Sequence, residues 1–174
     1  EEVTTAPRIS TERLTLRPHV MGECDPLYEL FGSDRARYMG GPYTPRQMWL
    51  WIASEVGSWP LKGFGSWGIE RSSDTAFIGQ IGIIQPHHFP EPEIGWVLLE
   101  AHEGQGYAHE AARAALDWWW STDRSDQLVS YINLENARSI ALATRLGATP
   151  DPEAPLPEGD TPDDTMAYRH RRPA

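Results

Sequence analysis

The chain of 174 residues has one cysteine, Cys24, and is short of basic side chains. A single cysteine can form neither an intrachain disulfide nor a cysteine-rich metal site, and no metal is expected. Its ordinary place is as a small buried residue. Lysine and arginine number 15 against 25 acidic residues, giving a net charge of −10. That balance excludes general binding to nucleic acid, which needs basic patches to neutralise phosphates. It is compatible with a cationic or amine-bearing substrate. No apolar run reaches about 18 residues, so no membrane-spanning helix and no membrane partner is expected. Glu1 to Pro7 lack the basic and apolar regions of a secretory signal, and the chain opens on Glu1 rather than Met, as a trimmed chain does. A cytoplasmic location is the expectation. Hydrophobic residues make up 40%, an ordinary share for a folded protein. The length suits one domain, residues 1–174. Eight tryptophans exceed what a core of this size needs and suit a pocket with flat apolar walls.

Hydrophobic patterning orders the elements. Arg13-Leu14-Thr15-Leu16-Arg17 alternates and stops at Pro18, as a half-buried strand does. Asp25 to Tyr38 reads as an amphipathic helix through Leu27, Leu30 and Phe31, broken by Gly40-Gly41-Pro42. Pro45 to Trp59 reads as a second helix with Met48, Trp49, Ile52 and Val56 as its apolar stripe. Strands 65–70 and 76–85 flank a turn at Arg71 to Asp74 and form a hairpin. Gly79 and Gly82 inside the second of them imply a bulge or a close backbone approach. Glu93 to Leu99 is a further strand whose apolar end, Trp96 to Leu99, is expected to be covered on both faces. A helix from Tyr107 to Ser121, a strand from Val129 to Asn133, a helix from Asn136 to Leu146 and a strand from Thr165 to His170 follow. Asp151 to Asp164, rich in proline and acid residues, reads as a mobile loop.

The chemistry concentrates where strand 93–99 runs into Glu103-Gly104-Gln105-Gly106-Tyr107-Ala108 and opens a helix. With strand 129–133 this is a βαβ unit, so the two strands are expected to be parallel neighbours. Small residues at 104, 106 and 108 let the backbone turn several N–H groups to one point, and the helix adds its unpaired N–H groups and positive dipole end. The combination holds a phosphate without a basic side chain. A nucleotide P-loop is excluded because no Gly-Lys-Ser/Thr follows, and a Rossmann site is disfavoured because His109 replaces the third glycine.

These residues resemble the general N-acetyltransferase (GNAT) superfamily, which carries Arg/Gln-x-x-Gly-x-Gly/Ala at the start of this helix. The longer pattern is similar to the branch of ribosomal-protein alanine N-acetyltransferases. It comprises Arg13-Leu14-Thr15-Leu16-Arg17-Pro18, Glu93-Ile94-Gly95-Trp96, and Asn136-Ala137-Arg138-Ser139 leading to Arg145-Leu146-Gly147. The resemblance implies an α/β (α+β) three-layer GNAT fold: a mixed, mostly antiparallel central sheet with two splayed parallel strands and helices on both faces. It implies acetyl-CoA as acyl donor and transfer of the acetyl group to a primary amine, on a small molecule or a protein N-terminus. Main-chain groups near Val97, Leu98 and Leu99 would pair with the pantetheine arm, and amides from Glu103 through Gly104, Gln105, Gly106 and Tyr107 to Ala108 would hold the pyrophosphate. Asn136 would reach the pantetheine or acyl region, and Ser139 would lie near the CoA sulfur and protonate the leaving thiolate. Homodimers are common in such enzymes, so a homodimer is expected.

One residue departs from the family pattern. Glu103 stands where Arg or Gln is usual, and a carboxylate there repels a pyrophosphate unless it points away or is paired. Glu93 is the candidate general base, because it begins the strand that leads to the donor. His87 and His88 titrate in the right range but sit in a loop, and His102 and His109 flank the glycine segment. Tyr28, Tyr38, Trp49 and Trp67 are candidate aromatic walls for the acceptor. Asn136 with Ser139 three residues on is also ordinary helix capping. Two other readings stay open at this level: a non-catalytic acyl-CoA-binding regulatory module, and a nucleotide-binding protein.

Overall fold

The structure, a computed structural model, describes residues 5–174; the first part of the segment inspected for a secretory signal lies outside the described residues. Its centre is an eight-stranded sheet. The strands are β1 (Ile9–Ser10), β2 (Leu14–Arg17), β3 (Ser66–Arg71), β4 (Phe77–Ile84), β5 (Glu93–Leu98), β6 (Gln127–Asn133), β7 (Thr149–Pro150) and β8 (Thr165–Arg171). They lie in the order β1-β2-β3-β4-β5-β6-β8-β7, and every neighbouring pair is antiparallel except β5 and β6. Helices α1 (Cys24–Phe31) and α2 (Pro45–Lys62) come before the hairpin, α3 (Tyr107–Ser121) joins β5 to β6, and α4 (Ala137–Arg145) follows β6.

Alternation along the strands divides the packing between the two faces. Ile78, Ile81, Ile83 and Ile94 point toward the alanine-rich side of α3, where Ala111, Ala112 and Ala115 are fully buried. Phe77, Val97 and Leu99 point the other way, into the cluster formed by α1 and the first half of α2. Small residues on α3 let that helix lie close to the sheet. Gly79 and Gly82 meet the expectation of a close approach. A Cβ on Gly79 would lie 2.3 Å from Val97 O, and one on Gly82 would lie 2.2 Å from Ser66 Oγ.

Three expectations need correction. The helix expected over 25–38 stops at Phe31. Ser33 then caps a separate 3-10 turn, Asp34–Met39, by accepting a hydrogen bond from the Arg35 amide. Gly32 and Ser33 supply the break, since serine bonds more readily to nearby backbone at a cap than inside a helix. In α2, the Thr44/Gln47 capping box and Pro45 fix the start as expected, but the helix continues to Lys62 and ends on Gly63 in the left-handed region. Its buried stripe is Met48, Ile52, Glu55 and Trp59, while Trp49 and Val56 face solvent. Trp67 is no acceptor wall. It is fully buried on the α3 side, edge-on to Trp59 and Trp118 at 4.8 and 5.2 Å between ring centres.

Glu55 is the unexpected member of the α2 stripe. It is buried and accepts a hydrogen bond of 3.0 Å from Gln80 Nε2. Burial pushes its carboxyl up to about 7, against the opposing pull of His19, Ser66 and Gln80. The unfolded chain therefore ionises this group at lower pH than the folded one, and stability falls as pH rises from about 4.5 to about 7. Glu55→Gln is expected to remove that decline. Thermal melts should show the variant level with the parent near pH 4.5 and several degrees more stable above pH 7, an upper limit of roughly 3 kcal/mol. A gap that does not widen with pH would refute the assignment.

Candidate active site

The site begins where β5 and β6 part. The two strands share one register pair, Glu93 with Val129, and then diverge. Side chains close the end of the ladder. The Tyr131 N–H donates to Glu93 Oε2 at 2.6 Å, and the Ser130 hydroxyl donates to Ile94 O at 2.7 Å. His170 Nε2 lies 2.9 Å from the same hydroxyl, and burial pushes its imidazole down to about 4, leaving it neutral. The apex of the fork is therefore fastened by its own residues.

Beyond the fork lies a cleft of about 730 Å3, lined by β5, the glycine loop, the start of α3 and the start of α4. Trp96, Val97 and Leu98 line it and are only half-buried, unlike the fully covered run that their apolar character suggests. The main chain sorts them. The Leu99 N–H is engaged by Ile78 O at 2.9 Å, on the β4 side. By antiparallel alternation Val97 also turns its main chain toward β4, whereas Trp96 and Leu98 turn theirs into the cleft. Of the three residues expected to offer main-chain groups, Leu98 alone has its own turned to the cleft side, where its carbonyl accepts from Arg35 Nη2 at 3.4 Å, and Trp96 shares that orientation.

The glycine loop has the shape that its sequence implies. Gly104 and Gly106 take φ of 76° and 81°, in the left-handed region. Gly106 caps α3 without any side-chain hydrogen bond, in contrast to Thr44 on α2 and Asn136 on α4. The first amide of α3 with a helical partner is that of Glu110, which donates to Gly106 O. The amides of Tyr107, Ala108 and His109 thus stand at an uncapped helix end whose first residues line the cleft. Their chemistry fits an anionic diphosphate. Arg13 braces the loop from behind. It donates to Gln105 O at 2.9 Å, pairs with Glu110 at 2.7 Å and lies 4.5 Å over the Tyr107 ring.

Glu103 is paired. One oxygen meets Arg35 and the other meets Arg138, so the repulsion that the sequence raised is offset in place. Asn136 caps α4, its Oδ1 accepting from the Ser139 amide at 3.3 Å. The Ser139 hydroxyl accepts from the Trp96 indole N–H at 3.3 Å, and both residues line the cleft. Arg13, Arg35, Trp96 and Arg138 were missed as site residues. Arg13, Trp96 and Arg138 each stand inside one of the three motifs that resemble the family, which is the available signal; Arg35 stands in none of them.

Glu93 lies at the apex of the fork. Burial pushes its carboxyl up to about 8; the Tyr131 amide opposes this, and the carboxylates of Glu55 and Asp160 add to it. Its Oε1 faces the space above Gly95, where a Cβ would meet that oxygen alone, at 3.8 Å. The Asp151–Asp164 segment is tied down beside it: the Glu158 N–H donates to His88 O at 3.1 Å, and Asp151 meets Arg169 at 2.9 Å. His88 stacks edge-on to Phe89 instead of reaching the fork. His109 lines the cleft, and burial together with Arg145 and Arg113 lowers its pKa. Tyr38 lines the cleft as well, while Tyr28 packs in the α1–α2 cluster. Among the described residues, no cluster of His, Cys, Asp or Glu is arranged to hold a metal ion, and no helix is long and apolar enough to cross a membrane.

The acetyltransferase (GNAT) domain pattern matches residues 13–149. The chain belongs to the GNAT family. It is an acetyl-CoA-dependent acetyltransferase. An acetyltransferase from Agrobacterium tumefaciens str. C58 is similar to it throughout, with a TM-score of 0.91, 39% identity and coverage of 97% of this chain and 96% of its own. The protein YkkB of Bacillus subtilis (strain 168) is 29% identical over 144 residues, 80% of this chain and 84% of its own. The acetyl transferase of Salmonella typhimurium that modifies the N-terminal serine of ribosomal protein L7/L12 shares the fold, with a TM-score of 0.73 at 18% identity over 95% of this chain and 99% of its own.

Proposed function

We propose that this acetyltransferase acts on a primary amine, carried by a small molecule or a peptide N-terminus, by direct attack on the donor. The observation that carries the reading is Glu93: a half-buried carboxyl with one oxygen fixed by the Tyr131 amide and the other facing open space at the fork. A base poised near neutral pH is what an ammonium acceptor requires, because only the neutral amine is a nucleophile. The shared fold with an enzyme that modifies a protein N-terminus is consistent with such an acceptor.

Acetyl-CoA supplies the thioester carbonyl. Amides of Gly104 to His109 hold its diphosphate at the uncapped end of α3. The main-chain groups of Trp96 and Leu98 orient the pantetheine arm along β5, and the Asn136 side-chain amide reaches it from α4. Glu93 Oε1 takes a proton from the acceptor's ammonium, directly or through one water. The neutral amine bonds to the thioester carbon, and as the C–S bond breaks Ser139 Oγ gives its proton to the departing sulfur and takes up the second proton shed by the nitrogen, while the Trp96 indole N–H steadies the hydroxyl during the exchange.

The test is thiol release from acetyl-CoA across a panel of small amines and peptides with free N-termini. Turnover that requires a free amino group supports the proposal, and turnover only on hydroxyl acceptors overturns it. Within it, Ser139→Ala is expected to lower kcat by at least about 10-fold with little change in KM for acetyl-CoA. An unchanged kcat in steady-state assays would remove Ser139 as the proton donor.

A further inference from the structure

Glu103 ends the short 3-10 turn after β5 and leads into Gly104. Its two carboxylate oxygens are divided between two arginines from different parts of the fold. Arg35 comes from the 3-10 turn 34–39 on one bank of the cleft, and Arg138 from the first turn of α4 on the other. The three side chains thus bridge the cleft beside the glycine loop and the uncapped end of α3. With Arg138 67% exposed, this pairing contributes little to stability. Its electrostatic role is larger. Arg138 sits at the positive end of α4, where a cation needs a counter-charge. A guanidinium accepts a carboxylate or a phosphate through the same fork geometry, so one can stand in for the other.

We propose that Glu103 is an internal competitor for the donor's diphosphate. Arg35 and Arg138 exchange its carboxylate for phosphate oxygens when the donor enters, and Glu103 swings out of the cleft. The inference rests on the reading of the 104–108 loop as the diphosphate cradle. A carboxylate left among phosphates without its cations would be repelled, so the exchange moves both partners and opens the bridge between the banks. Glu103 thereby tempers donor affinity: the competition weakens binding of a donor that carries the diphosphate, and a ligand without it neither gains from the two arginines nor is opposed by the carboxylate.

The test is calorimetric titration of the intact protein with CoA, and with pantetheine as a probe that lacks the diphosphate. Glu103→Gln should tighten CoA by about 5-fold. It should steepen the salt dependence of CoA binding and leave pantetheine binding unchanged. The double variant Arg35→Gln/Arg138→Gln should weaken CoA binding, and adding Glu103→Gln to it should have no further effect, because the competitor then has nothing to compete for. Weaker CoA binding in Glu103→Gln would overturn the inference and make the carboxylate an organiser of the arginines. Equal shifts for CoA and pantetheine would also overturn it, as a general distortion of the cleft. CoA affinity unchanged in Gly106→Val would instead sink the cradle reading itself, which keeps the two failures apart.

Discussion

Replacing Glu93 by glutamine is expected to lower kcat by at least about 100-fold and to erase the rise in rate with pH. The sign follows from the role. A base works only when ionised, and burial raises the Glu93 carboxyl to about 8. In the parent, kcat/KM should therefore climb as pH rises through about 8 and level off above it, apart from titration of the acceptor's own amine. Glutamine keeps an oxygen that can accept from the Tyr131 amide, so the fork keeps its closure while the proton acceptor is lost. Donor affinity should hold, because Glu93 lies at the apex of the fork and the phosphate cradle is at the far end of β5. The measurement is the pH–rate profile of both proteins with one good amine, together with CoA titration. A variant that retains the limb near pH 8 would show that another group is the base.

Gly106→Val is expected to raise the dissociation constant for CoA by at least about 10-fold, equivalent to 1.4 kcal/mol, with kcat at saturating donor much less affected. Gly106 sits at φ 81°, where a β-branched residue is strained by about 1–2 kcal/mol. Relief of that strain rotates the peptide at the helix cap and turns the amides of Tyr107 and Ala108 away from their common point. The added Cβ would meet only Arg13 Nη2, at 3.4 Å, so the backbone conformation and not crowding carries the effect. Calorimetry with CoA reads the affinity, and circular dichroism melts separate it from global unfolding. Unchanged affinity would mean that the loop amides do not hold the diphosphate.

Element order, the hairpin and the parallel pair were legible in the sequence because alternation and turn residues act over a few neighbours. The glycine loop was legible for the same reason: its turn is made by Gly104 and Gly106, which hold positive φ. What stayed hidden depends on which surface lies opposite. Trp67 and Trp49 look alike in sequence, yet the first meets Trp59 and Trp118 across the packing and the second meets solvent. The phase of β5, which gives Trp96 and Leu98 to the cleft in place of Val97 and Leu99, is set by pairing with β4. Glu103 read as a liability because its counter-charges, Arg35 and Arg138, lie 68 and 35 positions away. Arg35 was further obscured by the helix expected across it, since the Gly32-Ser33 break is what turns it toward the cleft mouth.

The closure of the fork has a spectroscopic consequence. Glu93 fastens β6 through one backbone amide, so the nitrogen of Tyr131 feels the charge of the carboxyl at 2.6 Å. Protonation of Glu93 weakens that acceptor, and the amide resonance of Tyr131 shifts with it. A single backbone signal, remote in sequence from the glycine loop, thus reports the ionisation of the base in the resting protein.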